Sequence, residues 1–315
     1  MMTSMKPRAD ISVCIATLQR PEALLRCLNA LLEGDVLPAQ IVIVDQSRDA
    51  QTQQMLEAAR AEWGEAAPPL VYSRQERRGL SASRNAATAL AQCGILTYTD
   101  DDCVPDAKWI EAIRNAFAEA PEPASVSGRV LPLGPEVPGT YPVSTRLSTQ
   151  RTDYAGSAIP WLAGTGGNMS VTREWLERIG PYDERLGPGA PGKGGEDVDL
   201  LYRLLRAGGR CRYDPDVLIY HERQDGALRS AKSWSYSYGI GACCGKWLRH
   251  GHARAGYLFG ARLYHMLRDA ARAAVRHDRM MAQQRWIAAR GVCAGLAFGM
   301  AKSNAATPAI APGGK

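Results

Sequence analysis

"GILTYTDDDCVPD", residues 94–106, sets three adjacent carboxylates, Asp100, Asp101 and Asp102, behind an apolar run that includes Ile95, Leu96 and Tyr98. The apolar half reads as a buried strand. The acidic half repels itself, so it is either a solvated turn or a grip on a divalent cation that holds a polyanionic ligand. The flanking sequence bears on that choice. "ISVCIA" (11–16), "IVIVD" (41–45) and "LVYS" (70–73) are further short apolar runs, and they are predicted strands. Between them, "RPEALLRCLNALL" (20–32) repeats Leu24, Leu25, Leu28, Leu31 and Leu32 at helical spacing, with Pro21 in the first turn. Residues 51–62, 80–93 and 106–120 are predicted helices, with Ser81 or Ser83 as a candidate cap for the second. Strands that are apolar throughout and alternate with helices imply an α/β fold, with a mostly parallel sheet covered on both faces. Ligands of such sheets bind beyond the carboxyl ends of the strands. Thr17, Asp45 and the run Asp100–Asp102 all fall on that rim, which favours the cation.

The second half is less regular. Residues 131–160 are rich in Pro, Gly, Ser and Thr and are expected to form a long surface loop. A short helix follows at 172–179, then a Gly- and Pro-rich stretch, 187–195, expected to be mobile. A helix starts near Glu196, and "RCRYD" and "VLIYH" are predicted as two short strands. Residues 227–300 read as two or three helices. Over 258–276, Phe259, Leu263, Met266, Leu267, Ala270 and Ala274 line one side, and Arg268, Arg272 and Arg276 make a stripe on another. Such a helix either lies in a membrane interface or docks its apolar side on the body. The expected organisation is a flexible start (1–10), a catalytic domain (11–226, with halves 11–130 and 131–226), a basic helical region (227–302) and a disordered tail (303–315).

Hydrophobic residues at 45% and charged residues at 22% fit an ordinary globular chain. The charge is unevenly spread. Residues 1–228 hold 24 Lys and Arg against 30 Asp and Glu, whereas residues 229–315 hold 14 against 2. A basic appendage on an acidic body calls for an anionic partner. Aromatics are sparse among its arginines (Trp247, Tyr257, Tyr264), so a membrane surface or docking on the body is expected rather than nucleic acid. The eight cysteines have neither a CxxC pair nor zinc spacing, and reduced thiols in the cytoplasm are the natural reading. "MMTSMKPRAD" has no apolar core, so no secretory leader is expected. The late apolar run "GVCAGLAFGMA" (291–301) has 11 residues, against roughly 20 for a spanning helix.

In order, "ISVCIATLQRPEALLRCLNALL", "IVIVDQSRD", "GLSASRNAA", "TYTDDDCVPDAKW", "GTGGNMSVTREWLERIGPYDERL" and "GGEDVDLLYRLLRAGGRCRYDPDVLIYH" resemble the motif series of glycosyltransferase family 2, over roughly residues 11–222. The resemblance implies a GT-A fold and inverting transfer from a nucleotide-diphosphate sugar. It implies a Mg²⁺ or Mn²⁺ ion held by Asp102 and Asp100, where Asp100 either ligates or reaches the ribose or a metal-bound water. His221 either joins that shell or bonds backbone at a strand end. Asp101 either contacts the nucleotide or points away. Asp45 corresponds to an aspartate that accepts the N–H of a pyrimidine, hence a UDP- or dTDP-sugar. "DQSRD" is shorter than the family's usual form, which leaves Asp49 unaligned.

Thr17 and Arg20 would contact base or ribose. Gly79, Arg84 and Asn85 would face the nucleotide, with Arg84 on a phosphate or in a surface ion pair. Trp161, the loop Gly164–Gly167 with Gly166 at its centre, and Asn168 would border the sugar, although "GTGG" is also an ordinary turn. Asp197 corresponds to the general base, with Glu196 beside it, unless both only cap the helix; Asp199 is expected to face elsewhere. The partners implied are a glycan or lipid-linked acceptor and an anionic surface at the inner face of the plasma membrane. A nucleotidyltransferase would need a glycine-rich loop after the first strand, and "ATLQRPEA" has none. A non-catalytic scaffold is the remaining alternative, against which stand Asp100, Asp102 and Asp197.

Overall fold

The computed structural model describes residues 6–64 and 67–301. The expected disordered tail, and residues 1–5 of the expected flexible start, lie outside the described residues. Strand β1 (Arg8–Thr17) already begins inside that start. It leads to α1 (Pro21–Glu33), β2 (Leu37–Asp45), α2 (Gln51–Trp63), β3 (Leu70–Arg74), α3 (Leu80–Leu90), β4 (Ile95–Asp100), β5 (Cys103–Pro105) and α4 (Trp109–Ala118). The second half holds β6 (Ser125–Pro132), β7 (Thr140–Tyr141), β8 (Thr152–Tyr154), α5 (Pro160–Ala163), β9 (Asn168–Thr172), α6 (Arg173–Ile179), α7 (Glu196–Arg206), β10 (Cys211–His221) and β11 (Gln224–Asp225). Three long helices close it: α8 (Arg229–Arg249), α9 (Ala253–Val275) and α10 (Arg279–Met300).

The main sheet runs β3-β2-β1-β4-β9-β6-β10-β5, with β8 also on β10. Its first four strands are parallel. β9 then runs antiparallel to both β4 and β6. The sheet is therefore mixed, and that reversal brings the loop before β9 beside the acidic end of β4. Thr17 lies opposite Asp45, and Ala16 opposite Asp100, so three strand ends meet at one rim.

The helices form where the sequence supplies an apolar face. In α1, Leu24, Cys27, Leu28 and Leu31 are buried, and Pro21 starts the helix where no N–H partner is lost. Together with Trp109, Ile113 and Phe117 of α4, they cover one face of the sheet. α3, α6 and α7 cover the other, through residues such as Ala87, Leu176, Leu200 and Leu204. Each fully buried leucine contributes about 2 kcal/mol. α3 takes Gly79 rather than a serine as its cap; Ser81 instead donates to the Leu186 carbonyl at 2.7 Å.

Several expectations need correction. "RCRYD" and "VLIYH" form one strand, β10, whose register slips between Asp214 and Leu218. Pro215 falls within that slip, where its missing N–H costs no ladder bond. The loop 131–160 contains β7, β8 and a bridge between Val130 and Arg146. The stretch 187–195 is held: Gly187 N–H reaches Gly194 O, Gly192 N–H reaches Arg185 O, and Pro188 O accepts from Leu80. Its end is pinned against α8, because Gly195 has φ of 80° and a methyl there would overlap the Gly239 carbonyl.

The appendage docks on the body. Val198 and Tyr202 of α7 share an apolar cluster with Ile240, Trp247, Leu258, Met266 and Val292. On α9, Met266 and Ala273 are buried and Leu263 packs inward, whereas Leu267 and Ala274 of the expected apolar side are exposed. α8 and α10 run side by side in the same direction. Added methyls at Gly291, Gly295 and Gly299 would meet the carbonyls of Trp234, Tyr238 and Ala242 in turn. Among the described residues, no helix is long and apolar enough to cross a membrane.

Candidate active site

A cleft of about 340 Å³ opens over the rim. One wall is the ends of β1 and β4 with the start of α3. The other is the loop before β9, the start of α7 and the start of α8. Of the expected site residues, Thr17, Arg20, Gly79, Arg84, Asp100, Asp101, Asp102, Gly166, Glu196, Asp197 and His221 line it.

The acids have distinct partners. Asp101 points inward, accepts from the Thr17 hydroxyl at 2.8 Å and meets Arg20 at 3.2 Å. Burial pushes its carboxyl up to about 6, against the pull of Arg20. Arg20 also reaches Asp102 at 2.9 Å, so one guanidinium offsets two of the three charges. Asp100, Asp102, Cys103 and His221 present ligand atoms within 4.8 Å of one another. This donor set fits a divalent cation. His221 Nδ1 donates to the Glu222 carbonyl at 2.8 Å, which turns Nε2 toward the acids, 3.6 Å from Asp102. Two carboxylates and an imidazole suit Mn²⁺ or Mg²⁺. Cys103 is a poor ligand for either, because burial drives its thiol far above the usual range.

Arg84 joins the two walls. It is buried, not at the surface, and donates to Asp100 at 3.1 Å, to Glu196 at 3.1 Å and to the Gly166 carbonyl at 3.0 Å. Side chains at Gly166 or Gly167 would collide with the Arg84 guanidinium and the Asp100 carboxylate. The glycines of "GTGG" thus let the loop close on this ion pair. Asp197 is partly exposed in the first turn of α7 and accepts from Gly166 N–H at 3.0 Å and Val198 N–H at 2.8 Å. Burial, and then the Asp197 charge, push Glu196 up to about 7, with Arg84 opposing.

Four expected residues do not line the cleft. Asp45 is fully buried and accepts from Tyr72 Oη at 2.9 Å and Ser47 N–H at 2.8 Å. Asn85 holds the turn at 182–184 through Tyr182 and Glu184. The Asn168 amide is spent on Trp109, Arg129 and Val217. Trp161 packs toward the appendage, with the Arg262 guanidinium over its ring at 5.8 Å. Conversely, Gln46, Arg78, Ser144, Lys232 and Tyr236 line the cleft without having been singled out. Arg78 sits in the visible "RRG" just before Gly79; Lys232 and Tyr236 reach the cleft only through the docking of α8.

Asp199 faces the appendage. It is fully buried, with Arg203 at 3.0 Å, Lys246 at 2.8 Å and Trp247 Nε1 at 2.7 Å. Lys246 also pairs with Asp183 at 3.0 Å. Against the cost of burial, Lys246 and then Arg203 hold the Asp199 carboxyl below its usual range.

Comparisons with known proteins bear on the fold and the family. A mannosyltransferase of Pyrobaculum calidifontis, solved with GDP-Man and Mn²⁺, aligns over 92% of this chain and 88% of its own, at TM-score 0.62 and 15% identity. That likeness gives the GT-A type fold, α/β with a large sheet flanked by helices. A glucosyl-dolichyl phosphate glucuronosyltransferase of Haloferax volcanii is 20% identical over 68% of this chain and 69% of its own length. A pre-mycofactocin glycosyltransferase of Mycobacterium tuberculosis is 27% identical over 47% of this chain, which spans only 31% of that relative. The model of glycosyl transferase family 2 matches residues 12–180, and the chain belongs to that family.

Proposed function

We propose that the protein is a metal-dependent, inverting glycosyltransferase that moves a sugar from a nucleotide-diphosphate donor to an acceptor hydroxyl. The observation that carries this reading is the pairing of two acidic groups across one cleft. Asp100, Asp102 and His221 converge on one wall, Asp197 stands on the other, and Arg84 ties the walls together. Asp102, Asp100 and His221 would hold the cation, which when bound supplies Lewis-acid stabilisation of the departing diphosphate. Asp197 takes the proton of the acceptor hydroxyl, whose oxygen then attacks the anomeric carbon from the face opposite the diphosphate. The new C–O bond forms as the bond to the diphosphate breaks, which inverts the anomer in one displacement.

The Asp45 carboxylate is engaged by Tyr72 and Ser47 beneath the rim, so no base is assigned to the nucleotide of the donor. Isothermal titration with UDP, dTDP and GDP, with and without Mn²⁺, tests the reading. One of the three binds only with the metal, and Asp102→Ala abolishes that binding. Metal-independent binding, or none from folded protein, overturns it.

We also propose contact with an anionic membrane surface. Tyr257, Tyr264 and Trp286 are exposed among the arginines of α9 and α10, a composition suited to an anionic interface. Co-sedimentation with phosphatidylglycerol vesicles, but not with phosphatidylcholine vesicles, is the expected result.

A further inference from the structure

A second pocket, of about 270 Å³, adjoins the cleft, and Ser144, Lys232 and Tyr236 line both. Its floor is α8. Arg229, Lys232, Ser233 and Tyr236 recur there at helical spacing, so one stripe of the helix faces the pocket. The opposite side is the first turns of α10, with Met281 and Arg285, and Tyr141 closes the third. Arg229 lies over the Tyr141 ring, 5.4 Å from its centroid. Neither Asp nor Glu lines this pocket among the described residues. Arg229 and Arg285 therefore meet no carboxylate inside the pocket, and Lys232 stands at the opening shared with the acidic cleft; Arg285 feels the charge of Asp269 from outside, without an ion pair. This contrasts with the main cleft, where five acids line the walls.

We infer that this pocket is the acceptor subsite for a phosphate group carried on the acceptor sugar. The inference rests on the transferase reading above. Two arginines with no carboxylate in the pocket, and Lys232 at its mouth, match the several oxygens of a phosphate ester better than one carboxylate. Tyr236 and Tyr141 supply flat faces on which a sugar ring can lie. A sugar with its phosphate among Arg229, Lys232 and Arg285 extends through the shared opening toward Asp197, where a hydroxyl further along the ring is deprotonated. The phosphate is either a soluble monoester, with two charges, or the singly charged diester link to a lipid carrier, and each presents non-bridging oxygens to the same cations.

The test uses the full chain, loaded with Mn²⁺ and whichever nucleoside diphosphate binds, so that the donor site is filled. Isothermal titration then compares glucose 1-phosphate with glucose. The phosphate ester binds at least tenfold tighter, and Arg229→Ala/Arg285→Ala removes that advantage while the nucleoside diphosphate dissociation constant changes less than twofold. Arg229→Lys/Arg285→Lys restores most of it, which a misfolded pocket would not allow. A citronellyl phosphoglucose arm, in detergent, separates the sources: this diester has one charge fewer than glucose 1-phosphate, so equal or tighter binding identifies a lipid carrier, and weaker binding a soluble ester. Equal affinity for glucose and glucose 1-phosphate in nucleotide-loaded protein overturns the inference and leaves the transferase reading intact. Failure of nucleotide loading overturns the transferase reading first.

Discussion

The two walls of the cleft are built differently. The wall proposed to hold the donor comes from strand ends and the residues just beyond them: Thr17 ending β1 and Arg20 after it, Gly79 before α3, Asp100 ending β4 and Asp101 and Asp102 after it. The acceptor wall is assembled from distant pieces: Ser144, Gly166, the loop at 188–195, Glu196 and Asp197, and then Lys232 and Tyr236 from the appendage. On the first wall, one fold rule places every residue. On the second, placement depends on how α8 seats against Gly194 and Gly195. If this contrast is right, damage to the appendage harms acceptor chemistry and spares nucleotide binding.

The largest effect expected is on the acceptor wall itself. Asp197→Asn keeps the size of the side chain but removes the base, and one of the two backbone N–H bonds it accepts, so kcat falls on the order of 10³-fold. Nucleotide affinity stays within twofold of the native protein by titration. A parallel loss of nucleotide affinity would merge the two walls into one unit and break the comparison.

Next comes the joint between appendage and body. Lys246 is buried and answers both Asp183 and Asp199. Lys246→Met leaves those acids short of a counter-charge and costs about 3 kcal/mol in chemical denaturation. It also lowers kcat, because α8 carries part of the acceptor wall, while metal-dependent nucleotide binding persists. A smaller effect is expected at Gly295, where a methyl would overlap the Tyr238 carbonyl. Gly295→Ala costs about 1–3 kcal/mol as α10 is forced off α8. Its control is Gly260→Ala on α9, which meets nothing within 4 Å and should raise stability by about 0.5 kcal/mol. Equal melting shifts for the two variants would remove close helix packing as the cause.

The sequence reads these regions with unequal success, for physical reasons. Parallel strands and their rim follow from local apolar runs, so the donor wall was legible. Asp100, Asp102 and His221 were legible as a cluster because strand ends bring them together. Asp45, Asn85, Trp161 and Asn168 are placed at the ligand by the family resemblance. Each instead satisfies buried protein groups or packs against them, and nothing in a residue's type says which side of a turn it faces. The break expected between "RCRYD" and "VLIYH" came from Pro215, which β10 absorbs as a register slip. Lys232 and Tyr236 were out of reach altogether, since only the docking of α8 brings them to the cleft.

The smallest effect sharpens the comparison within a single helix. Glu196 and Asp199 lie one turn apart on α7, and their protonation shifts in opposite directions. Glu196 faces the cleft, where burial and the Asp197 charge raise its pKa from 4.5 to about 7. A raised acid stabilises the fold fully below its unfolded pKa, and that contribution is lost as pH climbs through the folded value. Asp199 faces Lys246 and Arg203, which lower its pKa from 3.8. Its contribution is present above that value and is lost as pH falls through the lower, folded one. The native protein should therefore lose some stability between pH 4.5 and about 7 on account of Glu196, and should lose more in acid, below 3.8, on account of Asp199. Glu196→Gln flattens only the first limb of a melting-temperature profile, and Lys246→Met flattens only the second. If either variant flattened both limbs, the two faces of α7 would titrate as one network, and the division between cleft and appendage would not extend to their charges.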